Sequence, residues 1–367
     1  MRKFVKYALL TCCILFAILL TICKSIPNLN PYEQSFTGIL GLATPALALI
    51  NILFLLTWLI LRKFFFVLIP LFALIFSWKI YSVTIAGHLF KKQEFAKQSS
   101  SLSVMSYNVR LLDLYKWSGK KDTRDQMISF MASQNADVLC LQEFYTGNDS
   151  VGKNNIRDIA RQCGYEYYAT CDINVNKRGN WGSIVFSHLP IVQKQNHDID
   201  VFGSNLLQQA DIVFKGDTIS IFNIHLKSNK FSNEEADLIV KNEEIGLNEK
   251  TSDKTKKIYE KLEKNASNRG LEAALVSKII LSNQRKTIVC GDLNDIPGSY
   301  VYFKLRGKMR DAFLENGVGI GSTFITRIPV LRIDYIFHTD NIQTLGFKKM
   351  KVKFSDHYPL LANFQTQ

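Results

Sequence analysis

Six short runs in the last two-thirds of this chain each place a carboxylate, a carboxamide or a histidine within or directly after an apolar β-type stretch. In order they are Ser106-Tyr107-Asn108, Leu141-Gln142-Glu143, Asn223-Ile224-His225-Leu226, Gly291-Asp292-Leu293-Asn294, Arg332-Ile333-Asp334-Tyr335 and Ser355-Asp356-His357. Residues along a strand alternate between faces, so strands gathered into a sheet can bring such groups to one rim although they lie far apart in sequence. Oxygen ligands of this kind suit a hard divalent cation, and with two histidines they suit metal-assisted attack of water on a phosphate ester.

Composition changes sharply near Lys91. Residues 1–90 are overwhelmingly apolar, with hydrophobic spans at roughly 7–23, 37–61 and 64–90, the last interrupted by Lys79. A bilayer core takes about 20 apolar residues per helix, so three transmembrane helices are expected. Thr21-Ile22-Cys23-Lys24-Ser25 is a poor cleavage site for a signal peptide, and the first span is expected to be retained. Arg2, Lys3 and Lys6, with Arg62-Lys63, place the N-terminus and the second turn in the cytoplasm. Three crossings then leave residues 91–367 outside, as in a multi-pass protein of a bacterial inner membrane, whereas a third span that is only re-entrant would leave them in the cytoplasm. Of the net charge of +13, residues 1–90 hold seven Lys/Arg and one acid, leaving 38 basic against 31 acidic residues beyond them. That surplus is mild for a partner as polyanionic as nucleic acid.

The polar stretch 91–101 reads as a linker. Beyond it, strands are expected at Leu102–Val109, Asp137–Gln142, Trp181–Ser187, Leu206–Phe214, Thr218–His225, Thr287–Cys290, Ile333–His338 and Pro359–Phe364. Lys215-Gly216-Asp217 is a hairpin turn. Helical patterns fall at 122–134, 153–163, 268–283 and 299–306, with Asp122 as N-cap of the first. The result is one α+β domain over 102–367, two packed sheets with helices outside. Residues 229–267 form a charged helical insertion after the His225 strand, either a solvated excursion or a flap beside the site. Cys163 and Cys171 are the only cysteines placed to pair in an oxidising compartment.

Each motif has a plain structural alternative. Glu143 ends an apolar strand and suits a metal, though a strand-end glutamate is more often solvated. Asp292 and Asn294 follow a turn-permitting Gly291, as an acid to activate water beside an amide donor, or as an Asx turn. His225 and Asn223 share one side of their strand. Asp356-His357 combines an acid and an imidazole, with Asp334 as the natural partner to fix the tautomer of His357. His88, His188, His197 and His338 lack such company.

Taken together, these motifs resemble the endonuclease/exonuclease/phosphatase superfamily over about residues 101–367. The resemblance implies a four-layered α/β sandwich of two mixed sheets, deoxyribonuclease-like, and in-line hydrolysis of a phosphoester with Mg²⁺ (or Mn²⁺) and no covalent intermediate. By resemblance Glu143 is the principal metal ligand, with Asn108 and Asp356 near the ion. Asp292 orients or deprotonates water, and Asn294 and His225 contact the phosphate, Asn108 and Asn223 lying on the substrate side. Asp334–His357 is the dyad that stabilises phosphate charge. Phe144-Tyr145 after Glu143, and the Asn-x-His-Leu form at His225, depart from the abasic-site branch and resemble the sphingomyelinase-like, deadenylase-like and pancreatic-deoxyribonuclease-like branches. Expected partners are the bilayer and a phosphoester: a lipid head group or small phosphoester ahead of nucleic acid, with no obligate protein partner. A non-specific endonuclease and a catalytically idle binding domain are the alternatives.

Overall fold

The computed structural model describes residues 2–88, 100–148, 153–199, 206–229, 249–326 and 331–366. Most of the expected linker, and residues 230–248 of the expected insertion, lie outside them. The described residues divide into two compact units.

The first unit draws on Met1–Ile85, Asn229–Leu271 and Asp295–Leu305. Its apolar helices are α1 (Arg2–Cys23), α2 (Phe36–Ile60) and α3 (Phe64–Phe76). Leu20, Trp58 and Ala73 are buried among them, while Ile14, Ile18, Leu53, Phe65 and Phe72 face outward. Polar groups add to this packing: Asn51 Nδ2 donates to the Phe16 carbonyl at 3.1 Å, and Ser77 Oγ to the Leu20 carbonyl at 2.9 Å. Lys3–Asn28 and Phe36–Ile60 are long and apolar enough to cross a membrane, a property that a signal sequence near an N-terminus shares.

The expected third span needs correcting, so that two helices rather than three qualify. α3 has 13 residues, about 20 Å of helix against a hydrocarbon core of about 30 Å. Ser77 ends it, leaving helical backbone geometry and bonding back to Leu20. Hydropathy over 64–90 did not reveal that break, because the residues on either side of it stay apolar.

The second unit, Ala86–Ser228, Glu272–Asn294 and Arg306–Gln367, is the expected pair of mixed sheets. Its strands are β1 (Leu102–Asn108), β2 (Val138–Gly147), β3 (Tyr167–Asn176), β4 (Gly179–Ser187), β5 (Ile191–Asp198) and β6 (Leu206–Phe214). There follow β7 (Asp217–His225), β8 (Lys286–Asp292), β9 (Arg310–Asp311), β10 (Asp334–His338), β11 (Ile342–Lys349) and β12 (Leu360–Thr366). One six-stranded sheet runs β11-β12-β1-β2-β4-β3 and the other β9-β10-β8-β7-β6-β5, and a separate two-stranded ladder pairs Ala86–Gly87 with Val318–Gly319. Only β1–β2 and β7–β8 pair in parallel within these two sheets. Lys215 and Gly216 both take positive φ, 53° and 80°, the backbone that a two-residue hairpin between right-twisted strands requires.

Alternation explains the core. Val104, Val138, Cys140 and Val185 of the first sheet and Ala210, Ile221, Ile288 and Ile336 of the second are buried in one cluster. Each large aliphatic side chain so buried stabilises the fold by about 1.5–3 kcal/mol. The opposite face of the first sheet, through Met105, Leu139, Leu141 and Phe186, packs on Met127, Ile128 and Ile159 of the helices Thr123–Gln134 and Asn155–Cys163. Asp122 stands at the N-cap of the first of these helices, but its side chain makes no cap bond. Cys163 and Cys171 are free thiols.

Candidate active site

Strand register assembles the cluster. His225 on β7 lies opposite Asp292 on β8, and Asp292 lies opposite Asp334 on β10. Three motifs that are far apart in sequence thus become one row across adjacent strand ends. Gly291 makes the row possible: its φ is +139°, and a Cβ there would meet the Ile224 carbonyl oxygen at 2.0 Å. Any side chain at that position would push apart the strands bearing His225 and Asp292.

Two carboxylates buried as direct cross-strand partners repel each other, and His357 answers that repulsion. Its Nδ1 donates to Asp334 at 2.9 Å and its Nε2 lies 3.7 Å from Asp292 Oδ2. Burial and the Asp334 charge push the Asp292 carboxyl up to about 6, against the opposing pull of His357 and His225. Burial alone would lower the pKa of His357, but the Asp334 and Asp292 carboxylates raise it to about 10. The imidazole is therefore a cation at neutral pH. Ligand atoms of Asp292, Asp334 and His357 lie within 4.8 Å of one another.

The other sheet contributes Asn108 and Glu143. Asn108 Nδ2 donates to Asp292 Oδ2 at 3.1 Å, tying the two sheets together, and its Oδ1 accepts from the Arg110 amide at 3.1 Å. Glu143 sits in a β-bulge: the pairing of β2 with β4 steps from Leu141–Ile184 to Phe144–Gly182. The extra residue takes φ +46°, a left-handed conformation that costs a non-glycine residue about 1–2 kcal/mol. Leu141 and Phe144 both stay in the outer core, and Glu143 leaves the alternation. Bulges that re-aim a side chain recur beside active sites. Glu143 Oε1 lies 3.5 Å from His225 Nε2, and Asp292 Oδ2 lies 3.9 Å from the same nitrogen. Neither is a hydrogen bond, so among the described residues this buried nitrogen has no hydrogen-bond partner.

The remaining expected residues divide. Asn294, at φ +50°, donates its backbone N–H to Asp292 Oδ1 at 2.8 Å and Nδ2 to the Leu226 carbonyl at 2.9 Å. The Asx turn and the position beside the acid thus coexist, with one of its two amide hydrogens spent. Asp356 lies beside the cluster, its Oδ2 3.3 Å from Arg110 Nε. Asn223 is not brought to the rim. It is fully buried, accepts from Gln142 Nε2 at 2.7 Å and donates to Leu141, Ile184 and Gln208. It cross-links the sheets one step deeper than His225, because a shared side of a strand does not mean a shared depth. Arg110 was missed from sequence; the signal was a cation two residues after Asn108, opposite in charge to Asp356.

Hard oxygen donors are present for a divalent cation in Glu143, Asp356, the Asn108 carboxamide and the buried Asp292–Asp334 pair, which fits the donor set of Mg²⁺. Among solved structures, the chain is similar to an endonuclease/exonuclease/phosphatase family protein from Bacteroides thetaiotaomicron (17% identity, TM-score 0.51, covering 73% of this chain and 98% of that one). It is likewise similar to the human Nocturnin catalytic domain with bound sulfate anion (16%, TM-score 0.51, 75% and 98%). A third is ANGEL2, a 2′,3′-cyclic phosphatase, in complex with adenosine-2′,3′-vanadate (16%, TM-score 0.50, 76% and 99%). These likenesses are of fold. No curated protein matches the chain. Residues 2–84 match a family described only as a domain of unknown function. Residues 105–357, which span every group of the cluster, match the Endonuclease/Exonuclease/phosphatase family, and the chain belongs to that family.

Proposed function

We propose that this chain is a Mg²⁺-dependent phosphoesterase, held at a membrane by its apolar helices, that hydrolyses a phosphodiester or phosphomonoester by in-line attack of water. The observation that carries this reading is the unpartnered His225 Nε2 between Glu143 and Asp292, beside the Asp334–His357 pair. A buried nitrogen without a partner costs about 1–3 kcal/mol, and a phosphate oxygen would relieve it. Asp292 takes the proton of the attacking water. Asn294 and His225 hold phosphate oxygens, and the His357 imidazolium, fixed by Asp334, stabilises the charge that grows on them. Glu143, with Asn108 and Asp356, would hold Mg²⁺, which when bound supplies positive charge to the phosphoryl oxygens. Lipid head groups and small phosphoesters are the favoured substrates. In the full-length protein in detergent, Mg²⁺ or Mn²⁺ is expected to support hydrolysis of a phosphoester panel, chelator to abolish it and added metal to restore it. Full activity in excess chelator would remove the metal from the reaction.

For orientation, two crossings, by Lys3–Asn28 and Phe36–Ile60, would return the residues beyond Ile60 to the side of Arg2, Lys3, Lys6, Arg62 and Lys63. The placement of residues 91–367 outside, which needs a third crossing, therefore loses its basis.

A further inference from the structure

The segment after Asn108 is built in an uncommon way. Arg110, Leu111, Leu112 and Asp113 take φ of 43°, 56°, 54° and 58° in succession, a left-handed turn that L-residues adopt only when their surroundings enforce it. The enforcement is visible. Leu112 is buried in the outer core of the first sheet, and the Leu112 N–H donates to the Val109 carbonyl at 2.8 Å. The Lys116 N–H donates to the Asp113 carbonyl at 2.8 Å. The Ser118 N–H donates to Asp113 Oδ1 at 3.0 Å, and Ser118 and Thr123 share a hydroxyl bond of 2.7 Å.

This braced loop holds two aromatic rings in the open. Tyr115 and Trp117 are 62% and 43% exposed among the described residues, with ring centroids 5.2 Å apart, edge to face. The Arg110 guanidinium lies 4.6 Å from the Trp117 ring centre, while its Nε lies 3.3 Å from Asp356 Oδ2. One side chain thus links the aromatic pair to the candidate active site. Of the other residues of the loop, Leu114 is half-buried, and Lys116, Ser118, Gly119, Lys120 and Lys121 are polar or small and exposed.

We propose that Arg110, Tyr115 and Trp117 form a recognition subsite for the nucleobase of a nucleoside phosphoester whose phosphate lies at the Asp292–His357 cluster. The inference rests on the phosphoesterase reading and names a substrate class for it. Exposed aromatic rings stack on any base face, and neighbouring cations favour an anionic ligand. Rigid bracing keeps the ordering cost of binding low. An anionic bilayer surface is the competing partner for an aromatic and basic loop. Membrane-lying segments present a broad apolar face, however, and here only two rings stand among lysines, serine and glycine.

The test is binding and turnover by the full chain in detergent with Mg²⁺. Adenosine 5′-monophosphate should bind about tenfold or more tightly than ribose 5-phosphate, as expected for one base–aromatic stack. Trp117→Ala should erase that ratio, and Trp117→Phe should keep most of it. Equal affinity for the two esters, or an equal loss on both in Trp117→Ala, would overturn the subsite. Hydrolysis of adenylyl-adenosine and of glycerophosphocholine, measured on the same preparation, separates the two readings. Base-selective binding without hydrolysis of either would remove the phosphoesterase and leave the subsite standing; hydrolysis of both with no base preference would do the reverse. An effect of Trp117→Ala confined to esters presented in phosphatidylglycerol vesicles would make the loop a membrane contact and overturn the proposal.

Discussion

Asp292→Asn is expected to lower phosphoester turnover about 10²- to 10⁴-fold, the usual contribution of a positioned general base, and to raise thermal stability in chelator. Both effects have one origin. The carboxyl is 1% exposed and lies opposite Asp334 on the neighbouring strand, so burial and that charge push it up to about 6. An acid whose pKa is higher in the folded than in the unfolded protein is destabilising once ionised, a cost that begins above the unfolded value and is complete above about 6. Asparagine keeps the shape, still accepts from the Asn294 amide and carries no charge. Relief of that charge has to outweigh the loss of the bond from Asn108 Nδ2, because the asparagine Nδ2 takes the place of Oδ2. A variant that is inactive yet melts higher cannot be explained by unfolding. If Asp292→Asn kept more than a tenth of wild-type turnover, Asp292 would not be the base.

His357→Ala should lower turnover about 10²- to 10³-fold, the range for loss of one preorganised donor to developing oxyanion charge. The wild-type pH profile carries the same assignment. Asp292 acts deprotonated, so activity should rise through about pH 6. His357 acts protonated, so activity should hold through neutrality and fall only near pH 10. Linkage gives the sign for stability as well. A histidine with a raised folded pKa stabilises fully below its unfolded value near 6.5 and loses that contribution as pH climbs through about 10. His357→Ala should therefore cost stability at neutral pH, where Asp334 and Asp292 would face each other without a cation. A wild-type activity limb near pH 7 that vanishes in a His357 variant would show that the imidazole works in its neutral form.

Much of this site was legible because its motifs end apolar strands, and strand ends of one sheet share a rim. His225, Asp292 and Asp334 line up for that reason. What sequence hid was geometry that breaks alternation. Glu143 reaches the rim through a bulge, which no periodicity announces. Asn223 has the parity of His225 but lies one step deeper, spent on cross-sheet hydrogen bonds. The strands Tyr167–Asn176, Ile191–Asp198 and Ile342–Lys349 were not foreseen: the first two stand at sheet edges with many exposed polar residues, and the third alternates around a break at Gly346. Ser77 broke the third apolar span by a backbone turn within an apolar stretch. Arg110 escaped notice because its importance depends on Asp356, a residue far along the chain that only folding brings beside it.

The most direct measurement is hydrolysis of a phosphoester panel by the full-length protein in Mg²⁺, run beside Asp292→Asn prepared identically. The wild type should turn over at least one lipid-head-group or small phosphoester and stop in chelator, and Asp292→Asn should be at least a hundredfold slower on that ester. Hydrolysis of none of the panel by a folded, Mg²⁺-supplied wild type, or equal rates for the two proteins, would contradict a phosphoesterase centred on Asp292.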